Sequence, residues 1–288
     1  MRTSVWRPFA AFLVVVVVAS GCTRKQDSEP AVATPSLSFS RDRVPIGSAV
    51  TLTYKFVVAP NAAIDRNYYV FVHVLDPEGS QMWTDDHLPP VPTTSWKPGQ
   101  TVEYQRTIFV PNYPYIGEAV VRLGLYDPPT GKRLVLSGQD ASRREYVVTK
   151  FQVLPSSENV FLITRDGWYP AEVDAKNPTS EWQWTRKVAT LSFRNPKKDS
   201  TLYLQYDARS DLFNPPQQVT LKIGTQQVGS FVADARTPTI KLFPLTAAQL
   251  GASDMVDLLI DIDRVFSPGG GDARELGIRI FHMYLDTK

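Results

Sequence analysis

One part of the sequence combines aromatic and acidic side chains in the way that sugar-binding sites do. Trp182 and Trp184 are two residues apart, so in a β-strand both would project from the same face. Aromatic rings offer a flat apolar surface to a pyranose, while carboxylates can fix its hydroxyl groups. The pattern predicts a glycan-binding site formed by Trp168, Tyr169, Glu172, Glu181, Trp182 and Trp184. The alternative is that these aromatic side chains fill the core or close one end of a sandwich.

A second set of candidates is acidic. Asp257, Asp261 and Asp263 share one face of a period-two segment whose other face is apolar, and Asp272 follows three consecutive glycines. Calcium takes about six to eight oxygen ligands, which makes these four residues weak candidates for a calcium site. The alternative is a solvated strand face, with Asp272 paired to Arg264 or Arg274. We expect neither a bound metal nor another cofactor.

A third set could form a metal site if neighbouring strands pair. Its members are two histidines and three aspartates near one another in the chain, namely His73, Asp76, Asp85, Asp86 and His87. His73 alternates with Phe71 and Leu75, which favours a hydrogen-bonded core histidine.

Motifs of several enzyme classes are absent from the sequence. It contains no Gly-x-Ser-x-Gly elbow, no phosphate-binding loop and no His-Glu-x-x-His motif. A glycoside hydrolase or lyase stays open as an alternative, because its two carboxylates need not be close in sequence. We expect a non-catalytic protein.

The candidate residues lie in a chain whose pattern predicts β-strands along most of its length. Residues 48–58 alternate with period two, and residues 67–76 are apolar on both faces, as in a strand covered on both sides. Residues 101–110, 117–127 and 145–154 continue the series, with turn signals between them. About seven short strands at this spacing predict an immunoglobulin-like or fibronectin-like sandwich over residues 36–155.

A second β-series occupies residues 156–288. It contains about eight strand-like segments and one helical turn, for which Thr246 is the expected N-cap and Gly251 the expected stop. This pattern predicts a jelly-roll sandwich. The protein is therefore expected to be all-β, with two different sandwich domains.

Charge and cysteine content exclude other classes. Arg2 and Arg7 account for the whole excess of 31 Lys and Arg over 29 Asp and Glu, so the chain beyond residue 21 has no net charge. Nucleic-acid binding depends on basic surfaces, and we expect no nucleic-acid partner. The chain has one cysteine, Cys22, and so has no intramolecular disulfide.

The N-terminal residues have the layout of an export signal. Arg2 and Arg7 precede an apolar segment that is too short to span a membrane, and Ala19-Ser-Gly-Cys22 follows it. These small residues before a cysteine resemble the lipobox of bacterial lipoproteins. The resemblance implies a signal peptide over residues 1–21, lipidation of Cys22, and a lipid-anchored tether over residues 22–35. It also implies a location at the cell envelope, on the outer membrane where there is one and otherwise on the plasma membrane.

Both predicted domains resemble accessory modules of larger proteins. Residues 69–79, 92–99 and 121–133 resemble a β-sandwich appended to bacterial membrane glycosyltransferases. Asp166-Gly-Trp-Tyr-Pro-Ala-Glu172, together with residues 182–191 and 266–277, resembles a galactose-binding-like or jelly-roll module of the same setting. The resemblance implies a protein that binds or positions a glycan, such as a polysaccharide, or a membrane-protein partner. The alternative is a purely structural protein-interaction module.

Overall fold

The computed structural model describes residues 29–287, which form two β-sandwich domains. The fold is all-β, as predicted, because strands alternate buried and exposed side chains through both halves of the chain. The predicted signal peptide, the predicted lipidation site Cys22 and the predicted tether up to residue 28 lie outside the described residues. Within residues 29–287, no helix is both long enough and apolar enough to cross a membrane.

The first domain is built from β1 (Ala33–Phe39), β2 (Arg43–Pro45), β3 (Ala49–Val58), β4 (Tyr69–Leu75), β5 (Gln81–Thr84), β6 (Thr101–Phe109), β7 (Gly117–Tyr126), β8 (Gln139–Ser142) and β9 (Glu145–Leu154). One sheet has the order β1-β3-β6. The other has the order β2-β9-β7-β4-β5, with β8 beside β9. Strands β2 and β9 run parallel, and the other neighbouring strands are antiparallel.

Alternation along the strands places the first core between these two sheets. Val50, Leu52, Tyr54 and Phe56 of β3 are all buried, which confirms the face predicted from their spacing. Strand β4 is buried on both faces over most of its length, also as predicted. Strand β1 begins at Ala33, which pairs with Val58, so residues 33–35 of the predicted tether are part of this strand. Pro35 is compatible with β1 because β1 is an edge strand.

The second domain is built from β10 (Leu162–Thr164), β11 (Glu172–Val173), β12 (Glu181–Trp184), β13 (Val188–Arg194), β14 (Ser200–Asp207), β15 (Gln217–Ile223), β16 (Gln226–Ala233), β17 (Thr239–Leu245), β18 (Met255–Ile262) and β19 (Arg279–Thr287). Its sheets have the orders β10-β13-β18-β15-β16 and β11-β12-β19-β14-β17. Apolar residues from both sheets form the second core.

Local signals in the second domain act as expected. Thr246 caps the single turn α1 (Ala247–Leu250) through a capping box with Gln249, and Gly251 ends it with a positive φ of 71°. Strands β15 and β16 form a hairpin that turns at Gly224. These features fix the corners of the sandwich and keep both sheets in register.

The first domain has its chain entry and its junction with the second domain at opposite ends. Ala33 pairs with Val58 at one end of β3, whereas Ala49, at the other end of β3, pairs with Phe109. Phe109 stacks on His282 of β19, with ring centroids 5.2 Å apart. The second domain therefore meets the end of the first sandwich that is distant from residue 33.

Polar contacts hold this junction together. Arg41 donates hydrogen bonds to Asp286 Oδ1 at 2.9 Å and to the Tyr284 hydroxyl at 3.0 Å. Asn159, in the segment between the domains, donates to the carbonyl of Ile46 at 2.8 Å. The first domain thus rests on the outward face of the sheet that contains β19.

Candidate functional site

The predicted aromatic cluster divides into a buried part and a part at the junction between the domains. Trp184 and Tyr169 are each only 8% exposed and pack with Leu276, and Phe266 lies against the Trp184 ring. The Tyr169 hydroxyl accepts from the main-chain N–H of Glu275. These two aromatic side chains belong to a small buried cluster that is separate from the second core.

Two other candidates are also engaged internally. The Trp168 indole donates to the carbonyl of Thr190 at 2.8 Å and packs on the second core. Glu172 accepts from Arg274 at 2.5 Å, in an ion pair that also includes Asp272. The structure does not bring Trp168, Tyr169, Glu172 and Trp184 together on one open surface.

Trp182 and Glu181 lie at the junction of the domains. Trp182 and Trp184 both contact the Arg279 guanidinium, at 4.7 and 5.6 Å from their ring centroids, which confirms that the two rings share a face of the sheet. Trp182 is only partly buried and leans on Phe281, with centroids 6.0 Å apart. It is the tryptophan of the cluster that lines an open space.

That space is an interdomain crevice with two chambers. The stacked pair Phe109 and His282 forms part of the wall of each chamber, so it lies between them. The Trp182 chamber has a volume of about 720 Å³, and the Thr107 chamber about 650 Å³. Both volumes are within the range of about 300–1,000 Å³ that is common for small-molecule sites.

The Trp182 chamber combines aromatic, aliphatic and polar side chains, one of which is acidic. Its rings are Trp182, Phe281, Phe109 and His282, and its polar side chains are Asn112, Thr179, Glu181 and Gln183. The Trp182 indole nitrogen is buried and has no hydrogen-bond partner among residues 29–287. A buried donor without a partner costs stability.

The acidic candidates each pair with a different neighbour. Asp257 accepts from Ser192, Asp261 from Lys222 at 2.7 Å, Asp263 from Arg264 at 3.0 Å, and Asp272 from Arg274. The predicted pair of Asp272 with Arg274 is confirmed. In the described part of the chain, no three His, Cys, Asp or Glu side chains are grouped so that they could hold a metal ion.

The histidines of the first domain also separate. His73 is on the face of β4 that points away from the first core, and its Nδ1 lies 3.5 Å from Glu145 Oε1. His87 is buried, and its Nδ1 lies 2.7 Å from the main-chain carbonyl of Asp85. Since a carbonyl only accepts, Nδ1 carries the proton and Nε2 accepts from the Tyr104 hydroxyl at 2.7 Å.

Asp85 is the centre of a buried network in the first domain. It accepts two hydrogen bonds from the Arg106 guanidinium, at 2.8 and 2.9 Å, and one from the Tyr54 hydroxyl at 2.6 Å. The Tyr54 ring stacks on Tyr104, with centroids 5.0 Å apart. These side chains connect the edge of β6 to the segment that follows β5.

Burial and hydrogen bonding set the protonation states in this network. Burial disfavours the charged form of Asp85, but hydrogen bonds from Arg106 and Tyr54 outweigh it and keep the Asp85 pKa below its usual value. Burial lowers the pKa of His87 and raises that of Tyr54. The network therefore holds a carboxylate, a neutral imidazole and a neutral phenol around one guanidinium.

Comparisons with known proteins give no family assignment. No family model and no curated protein matches the sequence. The solved structure named pT26-6p aligns with a TM-score of 0.29 and 8% identity, over 90% of this chain and 63% of that one. A β-glucuronidase 2 of Bacteroides uniformis, covalently bound to cyclophellitol-6-carboxylate aziridine, aligns with a TM-score of 0.28 and 10% identity. That alignment covers 88% of this chain and 30% of the enzyme, and the likeness is one of fold alone.

Sequence reasoning missed half of the crevice. Nothing in the local spacing of Phe109, Phe281 and His282 distinguishes them from ordinary strand residues or places them beside Trp182. The sequence does contain one signal. Aromatic side chains at the end of β6 and in β19 occupy positions at which the apolar–polar alternation predicts a side chain exposed to solvent. Exposed aromatic residues at strand ends are a reason to expect a junction or a ligand.

Proposed function

We propose that the protein binds a glycan in the Trp182 chamber, as a non-catalytic, lipid-anchored protein of the cell envelope. The single observation that carries this proposal is the composition of that chamber. Four rings and four neutral or acidic polar side chains line one space of about 720 Å³ between two sandwiches.

The geometry suits a sugar better than a purely apolar ligand. Trp182 and Phe281 give a partly exposed aromatic surface, against which the C–H face of a pyranose can pack. Asn112, Gln183 and Glu181 supply donors and acceptors for hydroxyl groups. Among residues 29–287, Glu181 is the only carboxylate residue that lines this chamber, which supports binding rather than hydrolysis by a pair of carboxylates.

Glycan binding is expected to depend on Trp182. Full-length protein in detergent would be screened on an array of bacterial polysaccharide fragments, and the hits would be titrated by calorimetry. Trp182→Ala is expected to raise the Kd at least tenfold, which corresponds to about 1.4 kcal/mol, because it removes the stacking surface. Phe161→Ala is the matched control, since Phe161 is 78% exposed and lies outside the crevice.

Two results would contradict the glycan proposal. One is the absence of any hit on the array when the protein has a normal unfolding transition. The other is a hit whose affinity is the same for Trp182→Ala and for the parent protein.

The anchor is tested separately through Cys22. In phase separation with a temperature-sensitive detergent, protein recovered from membranes is expected in the detergent phase, because acyl chains contribute about 0.8 kcal/mol per buried CH₂. Cys22→Ser is expected in the aqueous phase. A Cys22→Ser protein that still enters the detergent phase would remove the anchor from the proposal and leave the glycan site unaffected.

A further inference from the structure

Strand β6 is the longest edge strand in residues 29–287. Edge strands invite pairing with other chains, and proteins limit this with short strands, charged side chains, prolines, bulges or covering segments. Strand β6 has nine residues, no proline and a regular register with β3, and its charged residues are Glu103 and Arg106, of which Arg106 pairs with Asp85. The other edge strands are either short, as in β2, β5, β8, β10 and β11, or carry a proline or a bulge, as in β1, β16 and β17.

The free edge of β6 exposes main-chain groups at alternate residues. In an antiparallel pair, hydrogen-bonded positions alternate. The main-chain N–H of Val110 donates to the carbonyl of Ser48 in the segment before β3, whereas the carbonyl of Thr51 in β3 accepts from the N–H of Ser40, on the β1 side. Even-numbered residues of β3 therefore bond to β6, and their partners in β6 are also even-numbered. The N–H and C=O groups of Gln105 and Thr107 therefore point away from β3, and β6 has no second neighbouring strand in the described sheets.

The Thr107 chamber lies directly beside this edge. The chamber is lined by residues 106–109 of β6 and, from β17, by Thr239, Ile240 and Leu242. Leu242 is 46% exposed and is one of the apolar side chains in this lining. A strand needs a separation of about 4.7–4.9 Å from its neighbour, and a chamber of about 650 Å³ provides room for one.

We propose that β6 binds an extended segment of a protein partner, which adds to the sheet β1-β3-β6 as a fourth strand. A polypeptide supplies both donors and acceptors at the strand repeat, which matches the alternating free groups of Gln105 and Thr107. Its alternate side chains on one face would contact Ile240 and Leu242, so that face of the partner segment is apolar. This surface is separate from the Trp182 chamber and does not rest on glycan binding.

The proposal is tested with a defined set of peptides. A phage-displayed library of random twelve-residue peptides would be selected on the full-length protein, and the enriched sequences synthesised. They are expected to alternate apolar and polar residues. On binding, they should slow the exchange of the Gln105 and Thr107 amide protons, and leave those of Arg106 and Ile108, already bonded to β3, unchanged.

Proline substitution separates main-chain pairing from side-chain contact. Thr107→Pro removes a free N–H without removing a bond to β3, and it is expected to weaken peptide binding at least tenfold. Thr107→Ala, the matched control, is expected to bind within about threefold of the parent. If Thr107→Pro unfolds the domain, Gln105→Pro makes the same change at the next free amide.

Three outcomes would overturn the proposal. The first is a library that yields no enriched peptide. The second is peptides that bind Thr107→Pro as well as they bind Thr107→Ala. The third is a dimer, detected by light scattering and lost in Thr107→Pro, which would make the occupant of the edge a second copy of this chain.

Discussion

Asp85→Ala is expected to lower the free energy of unfolding of the first domain by about 1–3 kcal/mol, the usual cost of leaving a buried polar group without its hydrogen-bond partner. The substitution leaves the Arg106 guanidinium without its bidentate acceptor and the Tyr54 hydroxyl without a partner. Tyr54 is fully buried, so the hydroxyl that loses its acceptor lies away from bulk water. Urea unfolding followed by tryptophan fluorescence measures the change.

An exposed ion pair provides the control for Asp85. Arg209 also donates two hydrogen bonds to one aspartate, Asp211, at 2.8 and 2.9 Å, but this pair lies at the surface. Asp211→Ala is expected to have little effect on stability, because exposed ion pairs contribute little. Equal losses for the two substitutions would show that burial does not govern the contribution of the Asp85 network.

Gly167→Ala is expected to destabilise the second domain by more than the roughly 1–2 kcal/mol that a left-handed backbone costs an alanine. Gly167 has a φ of +85°, and a Cβ there would lie 1.9 Å from the carbonyl oxygen of Val188 and 2.7 Å from Ala189 Cα. Both contacts are with main chain of β13, which cannot move away without disturbing the sheet. Thermal unfolding by calorimetry measures the loss.

Gly131→Ala is the control that separates the steric clash of a Cβ with β13 from the cost of a positive φ. Gly131 also has a positive φ, of +70°, but a Cβ at that position meets no atom within 4 Å. Only the backbone cost is expected there. If Gly131→Ala and Gly167→Ala lowered the unfolding temperatures of their domains by the same amount, close packing against β13 would not be the reason for a glycine at position 167.

The prediction for Gly167 concerns the sequence motif that also contains Trp168. Gly167 fits closely against β13, Trp168 donates to Thr190, and Arg186 donates to the carbonyl of Gly167. The spacing that resembles a binding motif is thus accounted for by packing. Glu172, at the end of the same motif, is held by Arg274.

The fold was largely predictable because its signals are local. Alternation along β3 assigns Val50, Leu52, Tyr54 and Phe56 to the core, since a period of two is a property of the strand itself. Thr246 and Gly251 mark α1 for the same reason, because a cap depends on residues within one turn. The start of β1 was missed because Pro35 is a turn or linker signal unless the strand is known to be at an edge.

The candidate site was predictable only in part. That Trp182 and Trp184 share a face follows from their spacing. That Trp184 is covered and Trp182 is open depends on Phe266 and Leu276, which are about 80 to 95 residues away in sequence. The crevice itself depends on how two domains meet, through pairs such as Phe109 with His282. Such contacts leave no period in the sequence, so the site could not be derived from pattern alone.

The placement of chain entry and junction at opposite ends of the first domain has a mechanical consequence. Strands β1 and β9 join the N-terminal segment and the second domain to the sandwich at those two ends. A pull between Ala33 and Leu154 acts along the strands, at right angles to the hydrogen bonds between them. Those bonds must then be sheared together instead of being opened one at a time. The first domain is therefore arranged to transmit tension to the second without unravelling from its ends.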